Sequence, residues 1–152
     1  MKKFKYRLDT VLDYKTQVLD NLKTEHAVII QNVNRKQQQI SGLKQELVSY
    51  QSGFDQIKQE GASIENYRLF DMCIGRMEQI IDDEKERLKI LKKQENEKKQ
   101  EVIAAKVDTS KFEKLKDRQI QDYQKAVMKA DEAFIEEFVS NTAMKFRRQN
   151  RS

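Results

Sequence analysis

The chain has 152 residues, of which 38% are hydrophobic and 36% charged, with four glycines, no proline and no tryptophan. A compact domain of this length carries more turn residues and more apolar side chains, so the composition suits long helices rich in Lys, Glu, Gln and Leu, with disorder as the rival reading and periodicity to decide between them. The net charge of +5 is carried by the ends: residues 1–7 hold +4 and residues 145–152 another +4, leaving −3 over 8–144.

The first element is a helix over about residues 4–58. Its apolar positions step by threes and fours through Phe4, Leu8, Val11, Val18, Leu22, Ile29, Val33, Ile40, Leu43, Leu47, Tyr50, Phe54 and Ile57, with Lys15, Glu25 and Lys36 filling the gaps. Alternation sustained over many heptads is the seam of a coiled coil. Two consecutive steps of four, from Glu25 through Ile29 to Val33, read as a stutter that locally unwinds the supercoil. A helix of this length runs some 80 Å at 1.5 Å per residue.

A turn follows over about 59–63. Gly61 suits a left-handed helix end, and Ser63 can cap the next helix by accepting backbone N–H bonds. So short a connection folds the helices back antiparallel, with residue i opposite roughly 121 − i if both arms rise equally.

The second helix is expected over about 64–140. Its seam runs Tyr67, Phe70, Ile74, Met77, Ile81, (Glu84), Leu88, Leu91, (Glu95), (Lys98), Val102 and Ala105. Near 108–111 the rhythm loosens, and Ser110 with Glu113 can form a capping box, so a kink or stutter is expected there. Phe112, Leu115, Ile120, Tyr123, Val127, Ala130, Phe134 and Phe138 continue the stripe, with Ile135 and Val139 beside it, and a basic tail occupies 141–152. The fold class is therefore all-α, an antiparallel two-helix coiled coil with an overhanging C-terminal helix, because everything beyond about residue 120 outruns the first arm. From Tyr123 to Phe138 the stripe is left without an internal partner. A solvated apolar stripe invites a partner, a second copy of the chain, or fraying.

Chemistry-bearing constellations are absent from the sequence. There is no glycine-rich phosphate cradle, and the single histidine, His26, has no second ligand near it for a metal site. Asp82 and Asp83 lie on a charged helix with no pocket to shift their pKa values, as acid–base work requires. Lysines and arginines along the helices alternate with acids, which suppresses the continuous positive field that nucleic acid needs. The lone Cys73 precludes an internal disulfide, no apolar run reaches the roughly 18 residues of a membrane span, and no signal peptide is present, so a soluble, cytoplasmic chain without cofactor is expected. In "YRLFDMCIGRMEQII", Cys73 and Ile80 lie just off the seam with Met77 between them, which widens the apolar face into either a broad seam or a docking patch.

Three segments in this order carry a resemblance. The opening "FKYRLDTVLDYK", the second-helix start "YRLFDMCIGRMEQII" and the C-terminal "FEKLKDRQIQDYQKA" with "IEEFVSNTAMKF" resemble those of the flagellar export protein FliJ family. The resemblance implies a non-enzymatic coiled-coil stalk component of the bacterial flagellar type III export apparatus. It further implies partners: the hexameric export ATPase, the export-gate protein FlhA, and export chaperones, with peripheral attachment to the inner membrane at the flagellar base. By that analogy the gate contact falls on Cys73, Met77, Ile80 and Glu84. The paired helix ends would enter the ATPase ring, which nominates Arg7, Tyr123, Val127, Phe134, Phe138, Arg147 and Arg148. A structural tether or self-associating scaffold without influence on an ATPase is the other class that such a chain fits.

Overall fold

A computed structural model describes residues 2–151. It contains two helices, α1 (Asp9–Glu60) and α2 (Ile64–Arg151), packed against each other as an antiparallel hairpin. Gly61 takes φ 81°, the left-handed conformation that closes α1, and its N–H donates to the Ile57 carbonyl at 2.8 Å. Ser63 caps α2, its Oγ accepting the Asn66 N–H at 3.3 Å. The chain divides into two compact units, Val18–Ala105 and the pair of segments Met1–Gln17 with Lys106–Ser152.

In the unit Val18–Ala105 the α1 seam is Leu19, Leu22, His26, Ile29, Val33, Lys36, Ile40, Leu43 and Leu47, all buried or half-buried. These positions alternate strictly by three and four, so the stutter expected at Glu25–Ile29–Val33 is not there. Choosing His26 over Glu25 removes it. His26 Nε2 lies 2.8 Å from Glu95 Oε1, whereas Glu25 sits on the flank and accepts from Lys98 Nζ at 2.9 Å. Along α2 the seam from Tyr67 to Ala105 falls on the expected residues. At the turn, the Phe54 ring lies between Tyr67 and Phe70, with centroids 6.1 and 6.0 Å away, and Lys58 Nζ sits 4.1 Å over it. The Tyr67 hydroxyl donates to the Ile57 carbonyl at 3.2 Å, a second bond to the oxygen that the Gly61 N–H already engages.

In the second unit the chain departs from the expected helix over 4–58, because residues 2–6 are not helical, residues 7–8 form a turn and α1 begins only at Asp9. Tyr6 is the reason. Its ring is 3% exposed, and its hydroxyl donates to the Phe112 carbonyl at 3.0 Å. Phe4 packs on Tyr123 with centroids 5.6 Å apart, and the Tyr123 hydroxyl donates to the Lys2 carbonyl at 2.6 Å. A non-helical segment is not held to the helical rise of about 1.5 Å per residue, and Phe4 reaches Tyr123 rather than the Lys116–Asp117 region that equal rises imply. Leu12 is buried where Val11 was expected, and Lys116, ion-paired to Asp9 at 2.8 Å, takes the place of Leu115.

α2 does not break at 108–111. Thr109 is buried and its hydroxyl donates to the Lys15 carbonyl at 3.4 Å, while Lys15 pairs with Asp108 at 2.7 Å. With these polar groups satisfied and no proline or glycine present, the helix runs through Ser110 and Glu113. The irregularity of the seam instead appears as two steps of four, Phe112 to Lys116 to Ile120. α2 also continues through 141–151, where a basic tail was expected; Arg148 and Arg151 in its last turn complement the helix dipole.

Candidate interaction surfaces

Two-helix packing leaves every seam residue open at its sides, and no side chain is fully enclosed among the described residues. Function must therefore be sought on outer faces. No helix is long and apolar enough to cross a membrane, and no group of three acidic, His or Cys side chains is placed to hold a metal ion, among the described residues.

The residues nominated for the gate separate into two groups. Glu84 is only 6% exposed and belongs to the seam, where Lys36 Nζ approaches it at 2.6 Å and Arg87 at 2.7 Å. The bond from Lys36 holds its carboxyl below the ordinary value, against the opposing effect of burial, with the Arg87 charge assisting. A carboxylate already satisfied by two internal cations offers nothing to a partner, so Glu84 is corrected to a core residue. Met77 is half-buried in the seam. Cys73 and Ile80 are exposed, Ile80 at 37%. They are joined by residues the sequence reading passed over, Leu69 and Met72, which lie at helical spacing on the same side. Tyr50 of α1 meets Leu69, Phe70 and Cys73 in a small apolar hollow. The i, i+4, i+11 series Leu69, Cys73, Ile80 was the available signal.

The residues nominated for the ring also separate. Tyr123 and Val127 are half-buried, and Tyr123 is engaged by the N-terminal segment. Tyr123 is therefore corrected from free stripe to hairpin packing, since Phe4 and the Lys2 carbonyl engage it, and Val127 is not fully solvated either. Phe134 and Phe138 are 70% and 64% exposed. Ile135, Val139, Met144 and Phe146 are exposed with them, and Phe138, Val139, Thr142, Ala143 and Phe146 outline a shallow apolar groove. Arg147 and Arg148 are exposed on the same segment. Arg7 is exposed too but stands beside Tyr6, whose hydroxyl meets Phe112, roughly 50 Å along α2 from Arg147 at the helical rise. The basic ends are thus not brought together.

The class that the fold and surfaces define is an all-helical hairpin that carries apolar outer faces on α2. The family model described as "Flagellar FliJ protein" matches residues 4–151, and the chain belongs to that family. Membership makes it a component of the flagellar export apparatus. No curated protein and no solved structure matches the chain.

Proposed function

We propose that the chain couples the hexameric export ATPase to the export gate and escorts export chaperones, working in the cytoplasm at the inner membrane through its partners. The observation that carries this reading is the solvated apolar face of α2 from Phe134 to Phe146, flanked by Lys145, Arg147, Arg148 and Arg151. Aromatic residues dominate the energy of protein interfaces, and contiguous exposed apolar faces mark docking sites. This face is the ring contact, and its basic end steers encounter with the ring. The second face, Leu69, Met72, Cys73 and Ile80, is the gate contact, with FlhA as its partner.

The test is affinity for the purified ATPase ring together with stimulation of its ATP hydrolysis. Phe134→Ala and Phe138→Ala should weaken binding and stimulation while leaving the hairpin's thermal stability unchanged. Neutralising Arg147 and Arg148 should instead slow association and flatten its dependence on salt. Full affinity and full stimulation from the phenylalanine variants would remove the ring contact from this face.

A further inference from the structure

The charge along the last part of α2 is sharply divided. Between residues 130 and 144 the only charged side chains are acidic, Asp131, Glu132, Glu136 and Glu137; between 145 and 151 the only ones are basic, Lys145, Arg147, Arg148 and Arg151. The helix dipole explains the basic last turn but not the acids, which lie about 70 residues into an 88-residue helix, far beyond the dipole's reach of about one turn. The apolar face shares the same centre. Counting outward from Thr142, Phe138 and Phe146 stand four residues to either side, and the small side chains Thr142 and Ala143 lie between them, lining one groove.

A helix with this layout is complementary to itself run backwards. We propose that two copies of the chain pair antiparallel through residues 131–151, about a two-fold axis near Thr142. Such a contact is isologous, each copy offering one patch in both roles. Phe138 of each copy packs against Phe146 of the other, over the small residues at the axis. The acidic segment 131–137 of each copy then runs alongside the basic segment 145–151 of the other, on both sides of the axis. Parallel pairing would instead set acid against acid and base against base.

The area favours a dissociable dimer. Phe138 and Phe146 are 64% and 65% exposed, and with Ile135, Val139 and Phe134 the two copies together cover roughly 800–1,000 Å², below the size of stable specific interfaces and in the range of weak, transient ones. The pairing is independent of the ring contact proposed above but uses the same face, so the dimer and the ring-bound form exclude each other. The dimer is a stored form that keeps an aromatic stripe out of water until a partner displaces the second copy.

The full-length chain is tested alone by sedimentation at increasing concentration. It should pass from monomer to dimer, and Phe138→Ala should weaken the dimer by about tenfold or more. Changing Glu132, Glu136 and Glu137 to Lys should abolish pairing, as should changing Lys145, Arg147 and Arg148 to Glu. The two variants mixed should pair, because their segments then carry opposite net charges. In a Cys73→Ser background, Thr142→Cys should form an intermolecular disulfide, while Asn150→Cys should not, being about 24 Å from its counterpart at the helical rise. Sedimentation as a monomer throughout would overturn the proposal, leaving the face to a different protein. A disulfide at Asn150→Cys, or a dimer indifferent to Phe138→Ala and to the charge changes, would also overturn it.

Discussion

Tyr6 anchors a segment that is non-helical and otherwise short of contacts, so its removal should loosen the start of the chain before it loosens the helices. Truncating a buried aromatic to Ala costs about 3–5 kcal/mol when the structure cannot collapse around the gap. The remaining ties of the segment are the ring contact of Phe4 with Tyr123 and the bond from the Tyr123 hydroxyl to the Lys2 carbonyl. Tyr6→Ala should therefore raise the population of the undocked segment by about a hundredfold, taking about 3 kcal/mol and a factor of ten for each 1.4 kcal/mol. Tyr6→Phe keeps the ring and loses only the bond to the Phe112 carbonyl, an effect of about 0.5–1 kcal/mol, or two- to fivefold. Brief trypsin digestion with mass analysis reads this directly, because cleavage after Lys5 and Arg7 tracks the open population when closing is fast. The melting temperature should fall less than a buried aromatic normally implies, since the loss is bounded by the docking energy of the segment. Cleavage after Arg7 at the wild-type rate in Tyr6→Ala would refute the docking of residues 2–8.

Acid should weaken the hairpin partly through Glu84. Its carboxyl is held below its ordinary value of 4.5, chiefly by Lys36, so its contribution is present above that value and is lost as pH falls through the lowered one. Glu84→Gln should accordingly differ most from the wild type near neutrality, with the gap narrowing below about pH 4 in denaturant melts. Lys98, raised chiefly by its bond to Glu25, and Lys116, raised chiefly by Asp9, should act in the opposite sense. Their contributions persist up to the ordinary lysine value and are lost as pH rises through the raised ones, so Lys98→Met should flatten the alkaline limb. Replacing both His26 and Glu95 by Leu should leave the melting temperature equal or higher, because a polar pair in a seam specifies register more than it stabilises; a large drop would mean the pair carries stability. Ile80→Asp should weaken binding to FlhA while sparing helicity, whereas Met77→Asp should reduce both, as circular dichroism and a pull-down on the same variants would show.

Much of this architecture is legible in the sequence. Two sustained three-and-four rhythms, separated by Gly61 and Ser63, specify two helices and a reversal, because apolar period and turn chemistry are local properties. The α2 seam from Tyr67 to Ala105 is readable because its three-and-four rhythm continues unbroken through Phe70, Ile74, Met77, Ile81, Leu88, Leu91 and Val102. The exposed stripe at Phe134 and Phe138 follows from counting residues on the two arms. Along α1 the rhythm is ambiguous. Val11 stands beside Leu12, Val18 beside Leu19 and Glu25 beside His26, and period alone cannot say which member of each pair faces the partner. Tertiary packing chose Leu12, Leu19 and His26, the last because Glu95 lies opposite to bond with it. Glu84 falls on a seam position in the sequence, but only the fold shows that Lys36 and Arg87 satisfy its carboxylate there. Tyr6 and Thr109 are silent in the pattern because each is buried by a single long-range bond, to Phe112 and to Lys15, and a bond across about 100 residues has no local signature. Only the folded chain decides how far α2 is free, since the non-helical start of the chain covers Tyr123 and leaves the stripe from Phe134 onward in water.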